Sequence, residues 1–116
     1  MPNRNTFKSF VLDQLSSLRE LQAKAMFGGL GLYCGDQFFG ILLGGRLYFK
    51  TDAVSRAEYV RRAMPPLTYE KRGRKLSMRY YEVPPDVLED RAELVVWAER
   101  AICSEYNRQT MRPRRR

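Results

Sequence analysis

Residues 23–50 read AKAMFGGLGLYCGDQFFGILLGGRLYFK, and the way this stretch pairs with itself decides the fold. Gly35-Asp36 and Gly44-Gly45 each suit a two-residue hairpin turn, and the segments between are rich in apolar and aromatic residues. The stretch therefore predicts an antiparallel meander, with strands near 24–27, 30–34, 37–43 and 46–50. A turn at Gly35-Asp36 pairs Cys34 with Gln37, Tyr33 with Phe38 and Gly31 with Gly40. A turn at Gly44-Gly45 pairs Leu42 with Leu47 and Gly40 with Phe49. Gly31, Gly40 and Phe49 are expected in one row, with the Phe49 ring lying over Gly40. Gly28 and Gly29 make the bend ahead of the second strand.

That register sorts the side chains. One face receives Tyr33, Phe38, Leu42, Leu47 and Phe49. The other receives Leu30, Leu32, Phe39, Ile41, Leu43 and Tyr48, with Gln37, Arg46 and Lys50 at its edges. Antiparallel sheets usually keep one polar face, and here both are apolar. Three helices on a chain of 116 residues cover one face well. An uncovered apolar face marks a partner site. Leu30, Leu32, Phe39, Ile41, Leu43 and Tyr48 are thus the expected partner-binding residues, toward a second copy of the chain or another protein. Helices on both sides of the sheet are the alternative.

The glycines do not read as a phosphate loop. Counting from Gly29 and Gly31, a dinucleotide fingerprint needs glycine at position 34, where Cys34 stands, and a strand rather than a helix follows. The GK[ST] of a nucleotide-binding P-loop is absent.

Outward from the meander, Phe7, Phe10, Val11, Leu15, Leu18 and Leu21 recur at helical spacing, which predicts a helix over about 6–21 started by Asn5 or Thr6. A second helix follows Thr51 or Asp52, with Ala53, Ala57, Val60 and Met64 on one face, and Pro65-Pro66 ends it. LTYEKRGRKLSMRYYEV, residues 67–83, reads as another hairpin. A four-residue loop over 72–75 pairs Tyr69 with Met78 and Leu67 with Tyr80, keeping apolar side chains together, whereas a three-residue loop mixes the faces. Asp86 to Glu89 suits one helical turn. Asp90 and Glu93 suit a capping box for a helix to about Asn107, anchored by Trp97. The fold class is α+β, an antiparallel sheet of five or six strands with about three helices. One domain is expected over 1–107 and a basic, disordered tail over 108–116.

Composition narrows the chemistry. The chain has no histidine, which excludes His-based triads and imidazole acid–base catalysis. Its two cysteines are too few for a zinc site or a disulfide framework. No apolar run reaches the length of a spanning helix, and the first ten residues lack the apolar core of a secretion signal. A cytoplasmic protein with free thiols, no cofactor and no membrane contact is expected. Glu70 and Glu82 lie in predicted strands, where facing solvent or pairing with basic neighbours is the plainer role than hydrolysis. Without histidine to activate it, Cys34 reads as an inert thiol. Lys24 and Lys50 read as ordinary edge lysines.

The net charge of +8 is clustered, with Lys71, Arg72, Arg74, Lys75 and Arg79 in the last hairpin and four arginines in the tail. Such charge suits acidic partners, nucleic acid included. The alternative function is a nucleic-acid accessory protein using the 71–79 hairpin and the tail. A solvated turn is the plainer account, since no known reader motif is present.

MFGGLGLY at 26–33, RLYFK at 46–50, TYEKRGRKLSMRYYEVPPDVLED at 68–90 and Trp97 together resemble the TfoX N-terminal domain family. The resemblance runs from about Phe7 to Ile102. It implies a two-layer, secretion-chaperone-like fold and a regulatory rather than catalytic role, associated with natural competence in bacteria. The partner it implies is a protein, the transcription machinery or a second copy of the chain.

Overall fold

Both glycine dipeptides of the meander turn the chain as expected in the computed structural model, which describes residues 4–26, 28–71 and 74–111, with side chains described at 6–26, 28–68 and 79–103. Strands β1 (Leu21–Met26), β2 (Gly29–Cys34), β3 (Gln37–Leu43) and β4 (Arg46–Lys50) run antiparallel to their neighbours. The chain then forms helix α2 (Ala53–Arg61) and a hairpin of β5 (Pro66–Lys71) and β6 (Arg74–Glu82). Strand β6 inserts beside β4, giving one six-stranded sheet of order β1-β2-β3-β4-β6-β5. Helix α1 (Arg4–Gln14) precedes the sheet, and α3 (Pro85–Glu89) and α4 (Arg91–Met111) follow it.

Three local expectations are corrected. Helix α1 ends at Gln14, not near 21, and tight turns carry the chain to β1 (Leu18 N–H donates to the Leu15 carbonyl at 3.0 Å). Ser16 and Ser17 favour turns over helix, yet Leu15 and Leu18 still reach the core. The last hairpin closes tightly, with Lys71 opposite Arg74 and Tyr69 opposite Leu76, so the four-residue loop is not formed. A register shift between Pro66 and Thr68 then restores Pro66 opposite Tyr81, the register expected for the open end. The two registers differ by two residues, which leaves the alternation of faces unchanged. The expected helix end at Asn107 is passed, since α4 runs to Met111.

The decisive correction is a bulge between β2 and β3. Tyr33 pairs with Phe38 as expected, but Leu32 pairs with Gly40 and Gly31 with Ile41, leaving Phe39 as the extra residue. Gly40 keeps its place opposite Phe49, whose ring lies against it, so the row reads Leu32–Gly40–Phe49 and excludes Gly31. Beyond the bulge every β2 residue changes face relative to the expectation. Leu32, Phe39, Leu42, Leu47 and Phe49 now share one core with Val11, Leu15, Val83, Leu94 and Trp97 from α1 and the turn after it, the β6–α3 junction and α4.

The helices are fixed by named caps and anchors. Asp52 caps α2 by accepting from Ser55 N–H at 2.8 Å, and Ser55 Oγ accepts from Asp52 N–H at 3.0 Å. Thr51, the other candidate cap, is instead buried and donates its hydroxyl to the Arg79 carbonyl at 2.8 Å, tying β4 to β6. Asp90 accepts from Glu93 N–H at the start of α4 (3.2 Å), as expected. Trp97 is buried edge-on to Tyr59 at 4.9 Å between ring centroids, and Arg62 stacks over it.

Burial pushes the Tyr59 phenol well above its ordinary value, against a smaller lowering by Arg100. Unfolded, the phenol ionises near pH 10; folded, it ionises later. This contribution is therefore complete below pH ~10 and is lost as pH rises, by up to about 1.4 kcal/mol per pH unit. Denaturant titrations between pH 9 and 11.5 should show this alkaline loss, and Tyr59→Phe should flatten it by one proton's worth of slope.

Candidate docking surface on the open sheet face

The six expected partner-binding residues divide between two faces. Leu30, Leu32 and Phe39 lie on the helix side, and Ile41, Leu43 and Tyr48 on the other. The bulge accounts for the split. Nor are they exposed as a set: Leu32, Phe39 and Ile41 are fully enclosed, Tyr48 is buried, and Leu30 and Leu43 are half-buried. No single uncovered patch of these six exists.

The second face nevertheless has its own character. Its apolar cluster is Ile41, Tyr48, Leu67 and Tyr80, with Phe38 and Leu43 packed against it. All six come from strands; among the described residues no helix side chain joins this cluster. A row of rings crosses it, Tyr33 to Phe38 at 5.1 Å and Phe38 to Tyr80 at 5.7 Å. Ile41 is fully enclosed and Tyr80 is buried, while Tyr33 and Phe38 are half-buried. Sequence reasoning had placed Tyr33 and Phe38 on the helix side; only the bulge reveals them here.

Charge borders the row. Lys24 places its Nζ 4.9 Å from the centre of the Tyr33 ring. Arg46 pairs with Glu82 at 3.0 Å, the second of the two plain roles expected for that carboxylate. Half-buried aromatics inside a rim of mixed charge have the anatomy of a protein interface: apolar at the centre, polar at the edge. Burial, and after it the Glu82 carboxylate, raise the Tyr48 phenol above its ordinary value, against a smaller lowering by Arg46.

Of the nucleic-acid candidates, Arg79 is exposed and its carbonyl is held by Thr51. The side chains of Lys71, Arg74 and Lys75, with Glu70 and Tyr69, lie outside the described residues, as do Arg72, Gly73 and residues 112–116. Cys34 donates its thiol to the Arg19 carbonyl at 2.9 Å, and desolvation followed by Glu20 raises its pKa. A raised thiol is a poor nucleophile at neutral pH. No helix among the described residues is long and apolar enough to cross a membrane.

The family model of the TfoX N-terminal domain matches residues 13–104. Protein Sxy of Escherichia coli (strain K12) is 28% identical over 83 residues, which cover 72% of this chain and 40% of that protein. The chain thus matches well under half the length of this relative.

Proposed function

The chain belongs to the TfoX N-terminal domain family, and from that membership we propose a regulatory, non-catalytic role exercised by binding a protein partner. The regulated process is natural competence or a related transcriptional programme, and the setting is the bacterial cytoplasm. The observation that carries the reading is the sheet face that no described helix side chain joins, with the half-buried rings of Tyr33 and Phe38 beside buried Tyr80 and a charged rim. Buried aromatics contribute most of the energy at such contacts, and a rim lysine sets orientation.

The test uses Tyr33→Lys, because Tyr33 is half-exposed and the change should shift the melting temperature by only a few degrees. In a host strain lacking the protein, the wild type should restore the affected transcripts and Tyr33→Lys should not. Full restoration by Tyr33→Lys would remove the open face as the docking site. A pull-down on the immobilised chain, with and without nuclease, separates the alternative. Binding that nuclease abolishes and that weakens steeply with salt would favour the nucleic-acid reading.

A further inference from the structure

Strand β1 is an edge of the sheet, bonded on one side only, to β2. The register fixes which of its backbone groups are left over. Gly35 N–H donates to the Glu20 carbonyl at 2.9 Å, and the pairing continues in step from Leu21 opposite Cys34 to Met26 opposite Gly29. In an antiparallel ladder, residues that bond to the neighbour alternate with residues that do not. Gln22, Lys24 and Met26 therefore turn their N–H and C=O groups toward β2. Leu21, Ala23 and Ala25 turn theirs outward, where no described strand follows. The edge is also clear of bulky side chains. Ala23 and Ala25 sit opposite Leu32 and Leu30, on the helix side, yet both are exposed. On the open side Lys24 leans back over the Tyr33 ring of β2. Sheet edges are commonly guarded by proline, bulges or outward charge. The opposite edge, β5, begins at Pro66 and carries a register shift, whereas β1 has neither.

We propose that β1 accepts an added strand, an extended acidic segment of the partner protein, paired to Leu21, Ala23 and Ala25. This rests on the reading of a protein partner at the adjoining open face and adds the mode of attachment. Outward N–H donors and C=O acceptors that alternate along a strand are matched group for group only by another extended polypeptide backbone. A nucleic-acid backbone has phosphate acceptors but no donors repeating at that spacing. The exposed alanines leave room on the helix side for the larger side chains of the incoming strand. Charge sets its sign. Lys24 holds a ring rather than a carboxylate, and the chain carries +8, so acidic side chains on the open side of the added strand meet a cation across from them. The same charge disfavours a second copy of this edge, which would bring two +8 chains together.

A six-residue edge is a small contact. A lone strand therefore binds weakly, with dissociation in the range of roughly 0.1–1 mM. The partner gains affinity because Tyr33 lies only one strand in from the edge, so the same molecule reaches both the edge and the ring face. The register also separates docking from folding. The Ala23 N–H belongs to no ladder bond, so proline at 23 removes a docking donor and leaves the fold intact. Proline at 24 removes a bond to β2.

The probe is a short synthetic peptide of alternating valine and glutamate, capped at both ends and titrated into the isotope-labelled full chain. Binding should saturate in that range and slow amide exchange at Leu21, Ala23 and Ala25 by about tenfold or more. Gln22 and Lys24, already bonded to β2, should be unchanged. The same peptide N-methylated at every residue, and one with lysine in place of glutamate, should each bind at least about tenfold more weakly. Ala23→Pro should weaken the acidic peptide by a similar factor while the melting temperature holds within a few degrees, whereas Lys24→Pro should lower that temperature strongly. Tyr33→Lys, which spoils the ring face, should still bind the peptide, so the edge and the open face are read apart. Absence of saturable binding by the acidic peptide overturns the proposal. So does binding undiminished by Ala23→Pro or by N-methylation, equal binding of the lysine peptide, or loss of the peptide in Tyr33→Lys.

Discussion

Truncating Phe49 to alanine is expected to destabilise the domain by about 3–5 kcal/mol. Phe49 is fully enclosed, its ring 5.8 Å from Phe39 and in contact with the backbone face of Gly40. The lost transfer energy is one part of the cost. The other is the cavity, since the β3 and β4 strands around it are held by their ladder and cannot collapse inward. A domain of this size has about 5–15 kcal/mol in all, so the variant should melt more than ten degrees lower. Val54→Ala, at an exposed position, should stay within about 0.5 kcal/mol of wild type. Chemical denaturation of the two side by side checks the contrast. Equal midpoints would mean that the Phe49 ring is not in the core.

The second large effect falls on Gly29. A Cβ there would stand 2.1 Å from the Leu42 carbonyl oxygen, and that neighbour is backbone. Relief requires β2 and β3 to part, so Gly29→Ala should cost about 3 kcal/mol, the upper end for overpacking. Its neighbours in the MFGGLGLY segment behave differently. At Gly28 an added Cβ meets nothing, but φ of +79° makes alanine unfavourable by about 1–2 kcal/mol. At Gly31 the nearest atoms are the Met26 sulfur at 2.8 Å, in a flexible side chain that can swing aside, and the edge of the half-buried Phe38 ring at 3.0 Å, both side chain rather than backbone. The expected order of destabilisation is Gly29 first, then Gly28, then Gly31. Urea midpoints of the three alanine variants test it, and a mildly affected Gly29→Ala would refute the close strand approach.

These glycines show what patterning reveals. Their structural role, in place of phosphate binding, was readable from the failed motif spacing and the strand that follows. The reason for each was not: Gly28 turns the chain, whereas Gly29 is needed for approach to a strand that enters only after the next turn. The candidate surface was harder still. Alternation assigns a face only when one side of a strand is polar, and QFFGILL is apolar nearly throughout. Nothing in that pattern marks Phe39 as the extra residue, so Tyr33, Phe38, Leu30, Leu32 and Phe39 were sorted to the wrong sides. For α2, periodicity put Ala53, Ala57, Val60 and Met64 on one face, yet only Met64 packs against the core and the other three are exposed. Tyr59 prevails because an aromatic ring buries far more surface than two alanines and a valine edge, and Trp97 offers it a partner.

Local chemistry in the sequence was enough to determine the antiparallel meander, its two glycine turns, the Asp90 cap and the class α+β. Each depends on residues a few positions apart, where turn geometry and capping bonds act without reference to the rest of the chain. Which face the helices cover, which rings stay half-exposed and which side of α2 meets water were decided only by tertiary structure. Those outcomes depend on competition for one limited core, and the winner is set by shape and by partners distant in the chain.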